Sequence, residues 1–126
     1  IDDTYNANPS SFQSVLENLN KMFPERRKIV VCGAMAELGD SSQEFHRQVG
    51  NTMHNCGVEK MYGLGGDEIE FYLEGWKNAG GGETSARHFS ELAELLPAFK
   101  AELQSEDVVL VKGSRSAKME RFVEAM

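Results

Sequence analysis

The chain has 126 residues, with 20 acidic side chains against 13 basic ones and a net charge of −7. That balance counts against a nucleic-acid surface, which needs a dense basic patch, and no apolar run approaches the roughly 20 residues of a membrane-spanning helix. A hydrophobic fraction of 40% is enough for one core, and the length suits one domain. Cys32 and Cys56 have no C-x-x-C partner and no histidine cluster near them. They read as buried thiols in a reducing compartment, not as metal ligands. The chain opens at Ile1 on a strand-like run and ends at Met126 within a helical pattern, so a piece of a longer protein is expected.

In chain order, Ile1–Thr4 reads as a first strand. Phe12, Val15, Leu16 and Leu19 recur at helical spacing, which predicts an amphipathic helix over about 9–22. Asn8 suits its N-cap and Pro9 its first turn. Lys28–Cys32 is a second strand. Phe45, Val49, Met53 and Cys56 predict a helix over 42–56. Ser41 and Glu44 propose a capping box at its start, and Gly57 a C-terminal cap at its end. Lys60–Leu64 is a third strand, and 67–78 is helical with a weaker period. "NAGGGETS" (78–85) reads as a flexible connector before a strand near Thr84–His88. Leu92, Leu95, Leu96 and Phe99 mark a helix that Pro97 must kink or divide. Val108–Val111 is the last strand, and Met119, Phe122, Val123 and Met126 a final helix. "IVVC" and "VVLV" are continuously apolar, as strands buried on both faces of a parallel sheet are. The strand–helix alternation therefore predicts an α/β layer fold with a mainly parallel sheet and helices on both faces.

In open α/β sheets, ligands bind beyond the carboxyl ends of the strands. After the first strand stands "DDTYNANPSS" (2–11), and helix capping accounts for Asn8 and Pro9 alone. Asp2, Asp3, Tyr5 and Asn6 could instead hold a ribose, an amide or a metal-bound water. After the last strand stands "KGSR" (112–115). Gly113 permits close approach, free amides at a helix start favour an anion, and Lys112 and Arg115 add two cations. The chemistry suggested is a carboxylate or phosphate site. "GLGGD" (63–67) lacks the sixth-position glycine of the dinucleotide fingerprint and reads as a turn. "KGS" lacks the preceding glycines of a phosphate loop. Glu37 reads as a helix-surface acid, and His46, His54 and His88 as plain polar positions.

"DDTYNANPSS", "GAMAELGD" (33–40) and "LVKGSRSAKME" (110–120) occur in the order and at the spacing seen in the Mur ligases, which the whole chain resembles. The resemblance implies one Rossmann-like, three-layer domain with about five to six strands. Residues 1–126 would be the last of three domains, closing over ATP that is held, with Mg²⁺, mainly by the central one. It implies an ATP-dependent amide-bond ligase of the bacterial cytoplasm, acting in peptidoglycan synthesis. Its partners would be ATP, UDP-N-acetylmuramoyl-tripeptide and D-alanyl-D-alanine, together with the other two domains. Residue by residue, Asp3, Tyr5, Asn6 and Asn8 would serve the nucleotide. Lys112, Gly113, Ser114 and Arg115 would face the dipeptide. No catalytic residue and no metal ligand is assigned to this domain. Ala34 departs from the family pattern, which usually has an acid there. Two other readings share the bare pattern: a phospho-receiver-like module with Asp67 as acceptor, and a nucleotide-binding domain without chemistry.

Two charge-assisted bonds from "KGSR" would contribute roughly 3–6 kcal/mol, whereas association costs an estimated 4–15 kcal/mol. Titration calorimetry of the 126-residue chain alone is therefore expected to show millimolar or undetectable binding of D-alanyl-D-alanine. A low-micromolar affinity would contradict it.

Overall fold

The computed structural model describes residues 1–3, 8–36, 38–114 and 117–126, with Asp2 and Asp3 described by their backbone. Five strands form one sheet in the order β1-β5-β2-β3-β4: β1 Asp2–Asp3, β2 Lys28–Cys32, β3 Val58–Leu64, β4 Ala86–Phe89 and β5 Val108–Lys112. All four pairings are parallel. The helices are α1 Pro9–Met22, α2 Ser42–Asn55, α3 Glu68–Asn78, α4 Leu92–Glu102 and α5 Glu120–Glu124. The expected α/β class and parallel sheet are present, and the five strands stand at the lower end of the expected number.

The strand alternation of side chains splits the core into two layers. Val30, Cys32, Val58, Met61, Val108 and Leu110 pack against Phe12, Leu16 and Leu19 of α1, Val49 and Met53 of α2, and Ile69, Tyr72 and Trp76 of α3. Ile29, Val31, Tyr62, Leu64 and Val111 face the other way, onto Leu95 and Phe99 of α4 and Phe122 of α5. Each fully buried aliphatic or aromatic side chain contributes about 1.5–3 kcal/mol. β2 and β5 are hydrogen-bonded on both edges and covered on both faces, which is why their sequences are apolar without alternation.

Several local expectations meet their physics here. Asn8 caps α1: the Ser11 amide donates to Asn8 Oδ1 at 2.9 Å, and the Asn8 amide donates to Ser11 Oγ at 3.1 Å. Gly57 takes a left-handed φ of 85° after α2. The capping box at Ser41 does not form; a 3-10 turn over Gly39–Ser41 leads into α2 instead. α4 runs undivided through Pro97, since burial of Leu95 and Phe99 on either side outweighs one lost backbone bond. The final helix is only five residues long. The 78–85 connector is tied down, with Trp76 Nε1 donating to Ser85 Oγ at 3.1 Å and the Gly81 amide to the Trp76 carbonyl at 2.9 Å.

The buried stripe of α2 keeps Val49 and Met53, with Phe45 and Cys56 packed against the core, and is wider than the expected one. His46, Val49, Gly50 and Met53 are buried, while Phe45 and Cys56 are half-buried. The cause is the close crossing of α2 and α3. A Cβ at Gly50 would lie 2.0 Å from the Tyr72 carbonyl oxygen, and one at Gly75 would lie 1.9 Å from the Arg47 carbonyl oxygen. At the opposite edge of the sheet, Arg27 clamps Asp107 with two bonds of 3.0 and 2.7 Å and donates to the Glu102 carbonyl at 2.8 Å. This ties the start of β2 to the end of α4. Gly75→Ala is expected to force α2 and α3 apart at a cost of about 1–3 kcal/mol, seen as a lower urea midpoint with the secondary structure retained.

Candidate functional site

The carboxyl ends of β2, β3, β4 and β5 open on one cleft of about 260 Å³, lined by Ala34, Leu64, Gly65, Gly66, Ser90, Ser114, Ala117 and Arg121. Its floor is made by two loops that follow adjacent strands. The Gly33 amide donates to the Lys112 carbonyl at 2.9 Å, and the Ser114 amide donates to the Ala34 carbonyl at 3.3 Å. The parallel ladder of β2 and β5 thus continues past the strand ends. Glycine makes this approach possible. A Cβ at Gly33 would stand 2.6 Å from Ala117 Cβ, and one at Gly113 would stand 2.6 Å from Met119 Cγ. Neither position has room for a side chain.

The sequence-predicted site residues divide between this cleft and its neighbourhood. Asp3 pairs in register with Lys112, so the first and last strands bring the two motifs side by side. Tyr5, Asn6 and Arg115 lie outside the described residues, as does Glu37. Asn8 is the exposed cap of α1. Gly113 and Ser114 are buried at the cleft floor. Lys112 is fully buried on the α1 side of the sheet, its ammonium 5.2 Å from the centre of the Phe12 ring. It does not line the cleft. An ammonium over an aromatic face gains about 0.5–2 kcal/mol. Both cysteines are free, and burial raises both thiols above the usual range.

Sequence reasoning missed Ser90, Arg121 and two histidines. His88 Nδ1 lies 3.0 Å from Glu70 Oε1, and its Nε2 lies 2.7 Å from the Gly65 carbonyl oxygen at the cleft lip. Both partners accept, so both ring nitrogens donate and the imidazolium fits. Burial alone would lower the His88 pKa, but the Gly65 carbonyl and the Glu70 carboxylate outweigh it and the net shift is upward. His46 is wholly buried, and its Nε2 accepts the Met35 amide at 3.1 Å. The signal for His46 was its place three and seven residues before Val49 and Met53, on the buried stripe.

Residues 1–115 match the family model described as Mur ligase, glutamate ligase domain. The chain belongs to this family. It is 37% identical, over 98% of its length, to the UDP-N-acetylmuramoyl-tripeptide–D-alanyl-D-alanine ligase of Buchnera aphidicola (subspecies Acyrthosiphon pisum), covering 26% of that protein. It is 36% identical over its full length to the ligase of the same name from Escherichia coli K12, again covering 26%. Among solved structures, it resembles the MurF ligase of Thermotoga maritima in complex with ADP at a TM-score of 0.80 and 29% identity, over 98% of this chain and 26% of that one. MurF from Acinetobacter baumannii gives a TM-score of 0.80 at 32% identity, over 99% and 27%. The chain therefore spans about a quarter of the relatives it matches. Membership of the Mur ligase family leaves the two rival readings without support. Among the described residues no three His, Cys, Asp or Glu side chains gather where they could hold a metal. Among them, too, no helix is long and apolar enough to cross a membrane.

His88 donates both of its bonds at the cleft lip, and stabilises it most, only while protonated, since a neutral ring keeps one N–H. Because its folded pKa is raised, that contribution is full below about pH 6.5, the unfolded value, and is lost as pH climbs through the folded one. His88→Ala is expected to lower the melting temperature more at pH 6 than at pH 9, measured by thermal unfolding at both.

Proposed function

We propose that this chain is the C-terminal domain of a three-domain, ATP-dependent ligase that joins D-alanyl-D-alanine to UDP-N-acetylmuramoyl-tripeptide in the bacterial cytoplasm. The observation that carries the reading is the register of β1 on β5, with Asp3 opposite Lys112. It sets the segment proposed for the nucleotide beside the segment proposed for the dipeptide. A reaction that passes a group from ATP to an acceptor needs such neighbours. The relatives that share the full length of this chain and bear that ligase name support the same reading.

In the proposed reaction, the terminal phosphoryl group of ATP passes to the tripeptide carboxylate. The dipeptide amine then attacks the acyl carbon, the C–N bond forms, the bond to the phosphate oxygen breaks, and the amine gives up a proton. Asp3 would bond the ribose hydroxyls, with Tyr5, Asn6 and Asn8 near the nucleotide. Gly113, Ser114 and Arg115 would take the dipeptide carboxylate, Arg115 by two parallel bonds. Lys112, beneath them, would add positive charge through the sheet edge. Mg²⁺ would be held with ATP by the central domain, and no step of this domain runs through it.

The test is phosphate release by the full-length protein. Release is expected to require both UDP-linked tripeptide and D-alanyl-D-alanine. Asp3→Ala and Arg115→Ala should each lower kcat/KM by about 10- to 100-fold, as loss of a bond to a charged group does. Release with a single amino acid replacing the dipeptide would move the protein to another step of the family. No release with any acceptor would overturn the reading.

A further inference from the structure

His46 is the one histidine among the described residues with no exposed surface. It belongs to α2, yet its ring reaches the loop that floors the cleft. Nδ1 stands 2.6 Å from the Ser42 carbonyl oxygen one turn back, and Nε2 stands 3.1 Å from the Met35 amide nitrogen. A carbonyl accepts and an amide donates, so the ring is neutral, with its proton on Nδ1 and its lone pair on Nε2. Burial lowers the His46 pKa, against smaller upward pulls from the Ser42 carbonyl and from Glu68 on α3. The ring also meets Tyr72 of α3 edge-on at 4.7 Å, and the Tyr72 hydroxyl donates to the Gly33 carbonyl at 3.0 Å. Two buried side chains from two helices therefore hold Gly33 and Met35, on either side of Ala34. The Ala34 carbonyl in turn accepts the Ser114 amide.

We propose that His46, with Tyr72, is a positioning residue for the dipeptide segment. By holding the Met35 amide it sets the Ala34 carbonyl, and through that carbonyl it sets the backbone of Ser114. The inference rests on the reading of Gly113, Ser114 and Arg115 given under the proposed function. A histidine that only filled the core would need no lone pair aimed at a loop amide. Nor would its neighbour's hydroxyl be spent on the same loop two residues earlier.

The test uses the full-length protein. His46→Phe keeps a ring against Tyr72 but removes the acceptor, and leaves a buried amide unpaired. It is expected to raise the KM for D-alanyl-D-alanine about tenfold, the order expected for one lost hydrogen bond, with the KM for ATP unchanged. His46→Gln restores an acceptor near the position of Nε2 and should recover most of the loss. In hydrogen exchange, the Met35 and Ser114 amides should exchange faster in His46→Phe while those of β3 and β4 do not. Should His46→Phe fail to fold, Tyr72→Phe removes only the hydroxyl and is expected to shift the dipeptide KM in the same direction. An unchanged dipeptide KM in a folded variant, or equal rises in both KM values with no rescue by Gln, would overturn the inference. If the wild-type protein turns over no acceptor, the functional reading fails by itself. The positioning of Ser114 by His46 then stands or falls on the exchange of the Met35 and Ser114 amides.

Discussion

The last strand of the sheet is inserted between the first two, and the rest of the molecule depends on that insertion. β5 bonds β1 on one edge and β2 on the other, although about a hundred residues separate it from β1. Asp3 comes to lie opposite Lys112, and Cys32 opposite Lys112 on the other side. The loops that leave β2 and β5 run to opposite faces, toward α2 and α5, and a crevice at the carboxyl edge follows from that divergence. The crevice is floored by backbone because Gly33 and Gly113 leave no space for side chains against Ala117 and Met119.

Around that floor, polar side chains act mainly on backbone. His46 and Tyr72 hold one loop from below, and His88 and Glu70 hold Gly65 at the lip. The two histidines work in opposite protonation states because their surroundings differ. His46 is closed off and faces one donor and one acceptor, whereas His88 is partly exposed and faces two acceptors. The opposite edge of the sheet carries the tighter ion pairing, with Arg27 on Asp107 and Lys60 and Tyr62 on Glu102. Those groups secure α4 and leave the carboxyl edge free for loops.

The helices and strands were legible where one face was buried and the period was clean, as for α1, β2 and β5. The cap of α1 was legible too, because Asn8 and Pro9 suit a helix start, and Asn8 finds its partner, Ser11, only three residues on. The start of α2 was not, since Ser41 and Glu44 have the right spacing but the chain enters through a 3-10 turn. The buried stripe of α2 is wider than its period shows, because its partner is another helix at glycine contact, and the spacing of Phe45 and Cys56 says nothing about Gly75. The site motifs stood out as polar runs beyond apolar strands, which is why Asp3 and Gly113 could be named as candidates, while Ser114 was named only through the family resemblance. The separation of Lys112 from Ser114 was hidden, because β5 ends at Lys112 and the turn after it, not the alternation of the strand, sets where Ser114 faces.

By itself, the sequence determined the alternation of strands and helices, the burial of both faces of the central strands, the polar character of the strand ends and the motifs that place the chain among the Mur ligases. These are local properties, written in hydrophobic period, glycine and charge within a few residues. Tertiary structure alone decided the strand order, the pairing of Asp3 with Lys112, the meeting of two loops at paired glycines, and the protonation states of His46 and His88. The first three depend on residues far apart in the chain that meet only when β5 enters the sheet, and the histidine states depend on which donors and acceptors the packed helices and loops bring to each ring.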